Sequence, residues 1–308
     1  MTTARSLLVL PALLGLSSWA LCEESASQLS KPEQEHLSPI DIRMRQQERT
    51  ENKDFVITPL DRNYILPVSY KSKPYVRPYE RFDIKNRDLD NVEVKFQISI
   101  AIPLMQDIWG MADLKAGYTM TAWWQAYNRD ISSPFRETNH QPEALLSFPM
   151  NKPALGAHLR MIDTGIVHQS NGQTGELSRS WNRIYMEFVF EKDNFAWAIK
   201  PWYRIPEDKK EAPDDLKGDD NPDIWKYMGY GELLASYKWG EHNFGMLFRN
   251  NLRSWDKNKG AVQLDWSFPF WGRLRGYVQY FNGYGESLID YNASSNRISL
   301  GILLTDWL

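Results

Sequence analysis

The 308-residue sequence has a single cysteine, Cys22, and little excess charge. One cysteine cannot form an intramolecular disulfide, so the fold depends on hydrogen bonds and packing. The formal net charge is -3 at pH 7 and no basic patch accompanies it, which argues against a nucleic-acid partner. Beyond the N-terminus, no stretch approaches the roughly 20 apolar residues that a membrane-spanning helix needs.

The N-terminus has the pattern of a secretory signal. Arg5 provides a charged start, Ser6–Leu16 form an apolar core that is too short to span a membrane, and small residues follow up to Cys22. The next segment is polar and highly charged. We therefore expect a signal peptide over residues 1–22, with export of the chain, and a flexible N-terminal arm over residues 23–53.

Aromatic residues and period-two alternation are abundant. Aromatics make up 13% of the residues, with 13 Trp and 15 Tyr, and aromatic girdles at strand ends are typical of membrane barrels. From Val92 to Ile102, six apolar residues alternate with residues such as Glu93 and Lys95, which is a strand pattern. About 12 such runs follow one another, near residues 62–71, 91–104, 115–127, 142–149, 155–168, 182–191, 195–205, 229–239, 243–251, 260–268, 272–282 and 296–306.

These runs predict an all-β fold, a 12-stranded antiparallel transmembrane β-barrel that forms one domain over residues 54–308. A soluble barrel would place its apolar faces inside, and alternation alone does not separate the two cases. A barrel of this width is too wide to fill with apolar side chains, so the signal and the polar faces favour the membrane barrel. The charged residues that we expect in its lumen are Glu93, Lys95, Arg183, Glu187, Asp265, Arg273 and Arg275.

The segment HQSNGQTGELSRSWNR, from His168 to Arg183, carries the candidate chemistry. His168 and Ser170 are two residues apart, so on a strand they share a face. Asn182 opens the next run with the parity of its apolar residues, so we expect it to meet His168 on the outer surface. A hydroxyl nucleophile, a base and an orienting group are what a serine hydrolase requires. Spacing alone also allows a bland interpretation, because a lone histidine at a strand end is more often an interfacial residue and Ser-Asn-Gly is an ordinary turn sequence.

Long contiguous stretches give a more specific indication. They are SSPFRETN, HQSNGQTGELSRSWNR, KPWY, DDNPDIWKYMGY and GYGESLIDYN. On these stretches the sequence resembles the outer-membrane phospholipase A family of Gram-negative bacteria. The resemblance implies calcium-dependent hydrolysis of the sn-1 and sn-2 acyl esters of phospholipids and lysophospholipids. It also implies that Ser170 is the nucleophile, His168 the base and Asn182 the orienting group.

The resemblance further implies Ca2+ at a dimer interface. By position, its ligands would be the Ser178 hydroxyl, the backbone carbonyl of Gln173 and Ser132 of the partner subunit, all oxygens of the kind that calcium prefers. An arginine stands at the position of Gln173 in the relative considered, and a backbone ligand survives that change. The resemblance also implies that Met120 replaces a polar residue that contributes to the dimer interface. The partners implied are phospholipid, the outer membrane and, on activation, a second copy of the chain.

Other functions are compatible with the alternation and the signal. A non-enzymatic outer-membrane pore would conduct ions without hydrolysing lipid. A lipopolysaccharide deacylase would use the same catalytic groups on another substrate, and a soluble binding barrel would be extracted without detergent.

Overall fold

Twelve strands form a closed antiparallel barrel, in which each strand pairs with its neighbours in sequence and β1 closes the barrel against β12. The computed structural model describes residues 38–51, 57–76, 78, 89–212, 215, 217–272 and 274–306. The strands are β1 (Asn63–Lys71), β2 (Val92–Ile108), β3 (Ala112–Trp124), β4 (Phe135–Ala154), β5 (Ala157–Ser170), β6 (Ser180–Lys192), β7 (Phe195–Ile205), β8 (Gly231–Trp239), β9 (His242–Asn250), β10 (Gly260–Trp271), β11 (Leu274–Gly283) and β12 (Ser295–Thr305).

Two α-helices accompany the strands in the described residues: α1 (Pro39–Glu51) precedes the barrel, and the short α2 (Trp225–Met228) lies between β7 and β8. Neither of them is long and apolar enough to cross a membrane. The predicted fold class and strand number are therefore confirmed.

The faces of the strands are those of a membrane barrel. On β2, Ile98 and Ile102 point outward and are 46% and 45% exposed, whereas Glu93, Lys95 and Ser99 are 2%, 3% and 0% exposed. A soluble barrel would show the reverse, with apolar residues inside. The lipid-facing surface is therefore the apolar one, and the polar row faces the lumen. Of the charged residues expected there, Arg273 lies outside the described residues.

Ion pairs fill the lumen at the end that carries the β5–β6 loop. Arg297 lies 2.7 Å from Glu93 and 2.6 Å from Glu286, and Lys71 lies 2.6 Å from Asp290. All five side chains are almost fully buried. Charges removed from water in this way persist only when they are paired, and each of these has a partner. They fasten the loop between β11 and β12 into the mouth of the barrel.

Strand β4 begins earlier than the alternation predicts. We expect a loop over residues 128–141, yet β4 starts at Phe135, which pairs with Trp124 of β3. The inward side chains at this end are Arg136, Glu137 and Asn139, all buried. These side chains are held by hydrogen bonds and not by apolar contacts. This part of the strand therefore lacks the apolar alternation by which a strand is predicted from sequence.

Part of the segment that we expect to be a flexible arm is helical. Helix α1 has proline at its first position and Asp41 in its first turn, both favourable at a helix start. Ile40 is buried against Val189 and Ala198 in the lumen, and its N–H donates to Glu191 Oε1 at 3.0 Å. These contacts anchor the start of α1 in the other end of the barrel. Residues 1–37, with the predicted signal peptide, lie outside the described residues.

Candidate active site

The three residues predicted to carry the chemistry lie together on the outer surface of β5 and β6. His168 pairs with Asn182, and Ser170, the last residue of β5, pairs with Ser180. Residues paired across antiparallel strands share a face, so the period-two argument places all of them on one side. Ile166 and Ile184, the next pair on the same face, are 52% and 48% exposed. The site therefore stands at the loop end of the lipid-facing wall.

The imidazole of His168 has a fixed partner. Its Nδ1 lies 2.8 Å from Oδ1 of Asn182. An amide oxygen can only accept a hydrogen bond, so Nδ1 carries the proton and Nε2 keeps its lone pair. Ser170 is two residues away on the same face, and within the described residues no hydrogen bond joins its Oγ to the ring. An unprotonated Nε2 beside a serine hydroxyl is the arrangement of a general base next to a nucleophile.

The loop that follows Ser170 is built around the buried Asn171. Its Nδ2 donates to Leu177 O at 2.9 Å, and its Oδ1 accepts from Arg179 N at 2.9 Å. Gly172 has φ 64°, in the left-handed region that glycine adopts without strain. The side chain of Asn171 thus closes the loop from inside and fixes the backbone directly after Ser170.

Side chains in the lumen brace the site from behind. The indole of Trp181 donates to Gln169 Oε1 at 2.8 Å, which ties the inward residue between His168 and Ser170 to β6. The guanidinium of Arg183 lies 4.0 Å from the ring centre of Trp181. The two strands are therefore crosslinked at the level of the site, on the face opposite to it.

A second histidine, which the sequence did not single out, lies beside the serine. His140 on β4 is the cross-strand partner of Ser170, so it shares the outer face. Its Nδ1 lies 2.7 Å from the hydroxyl of Tyr118. Met120 is the partner of His140 on β3. The outer row at this level therefore runs Met120, His140, Ser170 and Ser180.

Ser178, a predicted calcium ligand, belongs to a cluster of oxygen atoms. Its Oγ donates to Asp220 Oδ2 at 2.8 Å, and Ser180 Oγ donates to the same atom at 3.1 Å. Lys210 Nζ lies 2.5 Å from the other carboxylate oxygen. Asp220 is not among the predicted ligands, although it stands in the DDNPDIWKYMGY stretch. Hydroxyl and carboxylate oxygens are donors that suit calcium.

The other predicted ligands are only partly brought together. Gln173 is in the same loop as Ser178, and its N–H donates to Asn171 Oδ1 at 3.3 Å, which fixes the local backbone. Ser132 is exposed on the β3–β4 loop with φ 62°, and no contact of the described residues joins it to Ser178. The described residues hold no group of three or more His, Cys, Asp or Glu that could bind a metal.

Glu207 is the other contact that the sequence did not indicate. It lies just beyond β7, whose Ile205 pairs with Asn182, so Glu207 is two residues further along the same face. Asn182 Nδ2 donates to Glu207 Oε1 at 3.2 Å. Burial, with the nearby Asp219 carboxylate, raises the pKa of Glu207 above its usual range. The segment between β7 and β8 has no clear alternation, so a side chain there could not be assigned to the site in advance.

Comparison with known sequences shows the family. Residues 40–304 match the family described as Phospholipase A1. The phospholipase A1 of Klebsiella pneumoniae is 38% identical over 255 residues, which cover 82% of this chain and 83% of that protein. A putative phospholipase A1 of Neisseria meningitidis serogroup B is 37% identical over 258 residues, covering 79% of this chain and 64% of that protein.

Comparison with solved structures indicates the same family. The outer membrane phospholipase A of Escherichia coli superposes with a TM-score of 0.75 at 37% identity, covering 82% of this chain and 100% of that one. The outer membrane phospholipase of Salmonella typhi, solved as a dimer with bound calcium, gives a TM-score of 0.76 at 36% identity, covering 84% and 96%. The chain therefore belongs to the phospholipase A1 family, and it is a barrel enzyme of the outer-membrane phospholipase type.

Proposed function

We propose that this enzyme hydrolyses both the sn-1 and the sn-2 acyl esters of phospholipids and lysophospholipids, with Ser170 as nucleophile, His168 as base and Asn182 as orienting group. The observation that carries the proposal is the 2.8 Å contact of His168 Nδ1 with Asn182 Oδ1, two residues from Ser170 on the lipid-facing wall. A site on that wall is at the level where acyl esters of the surrounding lipid lie. A pore would gain nothing from groups placed there.

The chemistry follows from the tautomer of His168. Nε2 accepts the Ser170 proton as Oγ attacks the ester carbonyl carbon, and the imidazolium returns that proton to the departing alcohol. The ester C–O bond breaks and an acyl-serine remains. Water then attacks the acyl-serine by the same route, which releases the fatty acid and restores Ser170. Asn182 holds the ring in place through both steps with a hydrogen bond that adds no charge to the lipid-facing surface.

Calcium is the cofactor that we propose, held by Ser178 and the Gln173 carbonyl of one subunit and by Ser132 of the partner subunit. The Salmonella typhi relative is a dimer with bound calcium, and the oxygen donors around Ser178 suit the ion. When bound, calcium would stabilise negative charge on the substrate carbonyl oxygen. In this proposal a second copy of the chain completes the site by contributing Ser132. The enzyme would thus be a monomer at rest and a homodimer when active.

We place the enzyme in the outer membrane as a multi-pass barrel, reached through the periplasm after removal of a signal peptide over residues 1–22. The apolar outer surface supports the membrane setting. The relatives from Escherichia coli and Salmonella typhi are outer membrane phospholipases.

The test is fatty-acid release from mixed micelles of detergent and phospholipid, with the label on the sn-1 or the sn-2 chain. Ser170→Ala and His168→Ala should each lower the rate about 10⁴-fold or more, while Asn182→Ala should lower it less. One solved structure of the Escherichia coli outer membrane phospholipase A is of an active-site variant with an Asn-to-Ala change. Ser254→Ala, an exposed loop serine on the β9–β10 side, is the matched control and should keep full activity.

Two outcomes would reject the proposal. One is near-normal turnover by Ser170→Ala in a barrel that still shows the gel mobility of the folded form. The other is release of only one of the two labelled chains, which would remove the dual positional activity. Chelation should abolish release and also return the protein to the monomer in sedimentation. Dimerisation that ignores both calcium and chelator would reject the shared calcium site.

A further inference from the structure

We infer that Glu207 is a positioning residue of the active site: it orients the side-chain amide of Asn182 and thereby selects the tautomer of His168 that can act as base. This inference rests on the catalytic roles proposed above. Its evidence is separate, namely the 3.2 Å hydrogen bond from Asn182 Nδ2 to Glu207 Oε1.

The side-chain amide of Asn182 can take two orientations. A primary amide carries an acceptor on one side and donors on the other, and it can rotate by half a turn to exchange them. If Oδ1 of Asn182 faces His168, Nδ1 must carry the proton and Nε2 is a base. If Nδ2 faces His168 instead, Nδ1 must accept, the proton moves to Nε2, and the ring can no longer take the proton of Ser170. An aspartate at this position would have no such ambiguity.

A carboxylate removes the ambiguity because it only accepts. With Glu207 on the far side of Asn182, the NH2 group is held toward Glu207 and Oδ1 is left for the histidine. In the rotated amide two oxygen atoms would face each other across the Asn182–Glu207 contact. At His168 the NH2 group would then face either the Nδ1 proton or, in the other tautomer, an accepting Nδ1. The observed chain His168, Asn182, Glu207, at 2.8 and 3.2 Å, has donors and acceptors matched at each junction.

The position of Glu207 is itself secured. Pro206 precedes it and fixes the backbone where β7 ends. The base of the loop is closed by Asp219 N, which donates to Asp208 O at 2.7 Å, and by Arg204, 2.5 Å from the Asp219 carboxylate. A glutamate held at both sides loses less conformational freedom on making its hydrogen bond than a free surface side chain would.

The charge of Glu207 adds a second effect. A carboxylate behind the orienting amide favours the imidazolium that forms during catalysis, as the buried aspartate does in other serine hydrolases. The titratable and charged groups around these hydrogen-bonded side chains are Arg204 at the end of β7, Lys210, Asp219 and Asp220 on the loop after it, Tyr118 and His140 on β3 and β4, and His168 itself. Burial raises the pKa of Glu207, so protonation and loss of the pure acceptor begin at a higher pH than for an ordinary glutamate.

The experiment compares Glu207→Gln in two backgrounds. In the native background glutamine can present either an oxygen or an NH2 group to Asn182, so the orientation is no longer enforced, and kcat should fall about tenfold, in line with loss of a charge-assisted hydrogen bond. KM should change little, because the proposed effect is on the general base and not on lipid binding. The pH at which kcat/KM has fallen to half of its maximum on the acidic side should be lower in the variant, because the negative charge that favours the imidazolium is gone.

In an Asn182→Asp background, Glu207→Gln should have the opposite effect on kcat. There the new carboxylate faces Glu207 and the two repel, so this single variant should be impaired. Glu207→Gln then lets the glutamine NH2 donate to that carboxylate, and kcat should rise severalfold. A merely structural role for Glu207 would make its replacement harmful, or neutral, in both backgrounds. Glu211→Gln, an exposed glutamate of the same loop, is the control and should have no effect in either.

The outcomes separate this inference from the proposed function. Suppose that Ser170→Ala is inactive and that Glu207→Gln either changes kcat in the same direction in both backgrounds or leaves kcat unchanged in both. The inference is then overturned and the proposed catalytic roles stand. If Ser170→Ala remains active, the proposed function fails, whatever Glu207 does. Reversal of sign together with an inactive Ser170→Ala supports both.

Discussion

Single oxygen atoms define the proposed calcium site, so its ligands can be told apart by substitution. Ser178 would contribute its side chain, whereas Gln173 would contribute its backbone carbonyl, which Gln173→Ala leaves in place. We expect Ser178→Ala to weaken calcium binding by about tenfold or more, the loss typical of groups at a metal centre, and Gln173→Ala to leave it within about twofold.

The measurement is a calcium titration of the detergent-solubilised protein, monitored by calorimetry and by sedimentation. Both methods report calcium binding independently of catalytic turnover. Equal weakening by both variants would mean that the side chain of Gln173 is a ligand or holds the loop. Unchanged binding in Ser178→Ala would remove that hydroxyl from the site. Asp220, which accepts from Ser178 at 2.8 Å, would then be the better candidate for the anchoring oxygen.

At the scale of elements, the loop after the proposed nucleophile has a twin four strands further along the barrel, between β9 and β10. Residues 251–259 repeat the fold of residues 171–179: Asn251 Nδ2 donates to Lys257 O at 2.8 Å, and its Oδ1 accepts from Lys259 N at 3.1 Å. A 3-10 turn follows in both loops. Leu252, at φ 54°, stands where the first loop has Gly172. In both loops the side chain of a buried asparagine closes the loop from inside.

The twin provides a matched control for the role of the loop. Asn171→Ala and Asn251→Ala each leave several buried backbone groups unpaired, at about 1–3 kcal/mol for each group. We expect both to lower the thermal midpoint by similar amounts. Only Asn171→Ala should reduce phospholipid hydrolysis, because only its loop fixes the backbone after Ser170. Equal activity losses in the two variants would show that general stability, and not local geometry, sets the rate.

The loop between β11 and β12 is fastened by charge, so its stability should depend on pH. Burial alone raises the pKa of Glu286, but Arg297 and Lys95 more than offset it and hold that pKa well below its usual range. A carboxyl whose folded pKa is depressed contributes stability above its unfolded value, about 4.3, which is lost as the pH falls through the folded value.

We therefore expect Glu286→Gln to cost about 3 kcal/mol at pH 7, the order found when one partner of a buried ion pair is removed. The difference from the native protein should begin to narrow as the pH falls below about 4.3, and it should be smaller at pH 3 than at pH 7. Thermal unfolding in detergent at pH 7 and pH 3 measures this, with the exposed Glu241→Gln as control. A difference that is the same at both pH values would contradict the ionic account.

The strands were predictable because one face of each carries apolar residues that meet lipid. The pairing of His168 with Asn182 was predictable for the same reason, since parity assigns a face. Alternation loses its meaning where hydrogen bonds replace apolar contacts, so the start of β4 at Phe135 was missed. Glu207 could not be placed from sequence, because its contact with Asn182 depends on the path of a loop that has no period.

At the scale of the whole molecule, the enzyme inverts the usual arrangement of an active site. Its interior holds buried ion pairs and side chains that brace the two strands of the site, while the proposed reacting groups lie on the outer surface. Such an enzyme would attack its own membrane unless it were held idle. Completion of the proposed calcium site by a second subunit is one way to do this. Thermodynamic linkage then requires that calcium raise the dimerisation constant by the same factor by which dimerisation raises the affinity for calcium.

The most direct test of the central claim is to trap the nucleophile. An alkanesulfonyl fluoride with a lipid-length chain should transfer its sulfonyl group to an activated serine, and mass spectrometry of the digested barrel locates the adduct. We expect one adduct per chain, on Ser170, formed at the rate at which hydrolysis is lost, and almost none in His168→Ala. An adduct on another residue, or full loss of hydrolysis with Ser170 unmodified, would contradict the account.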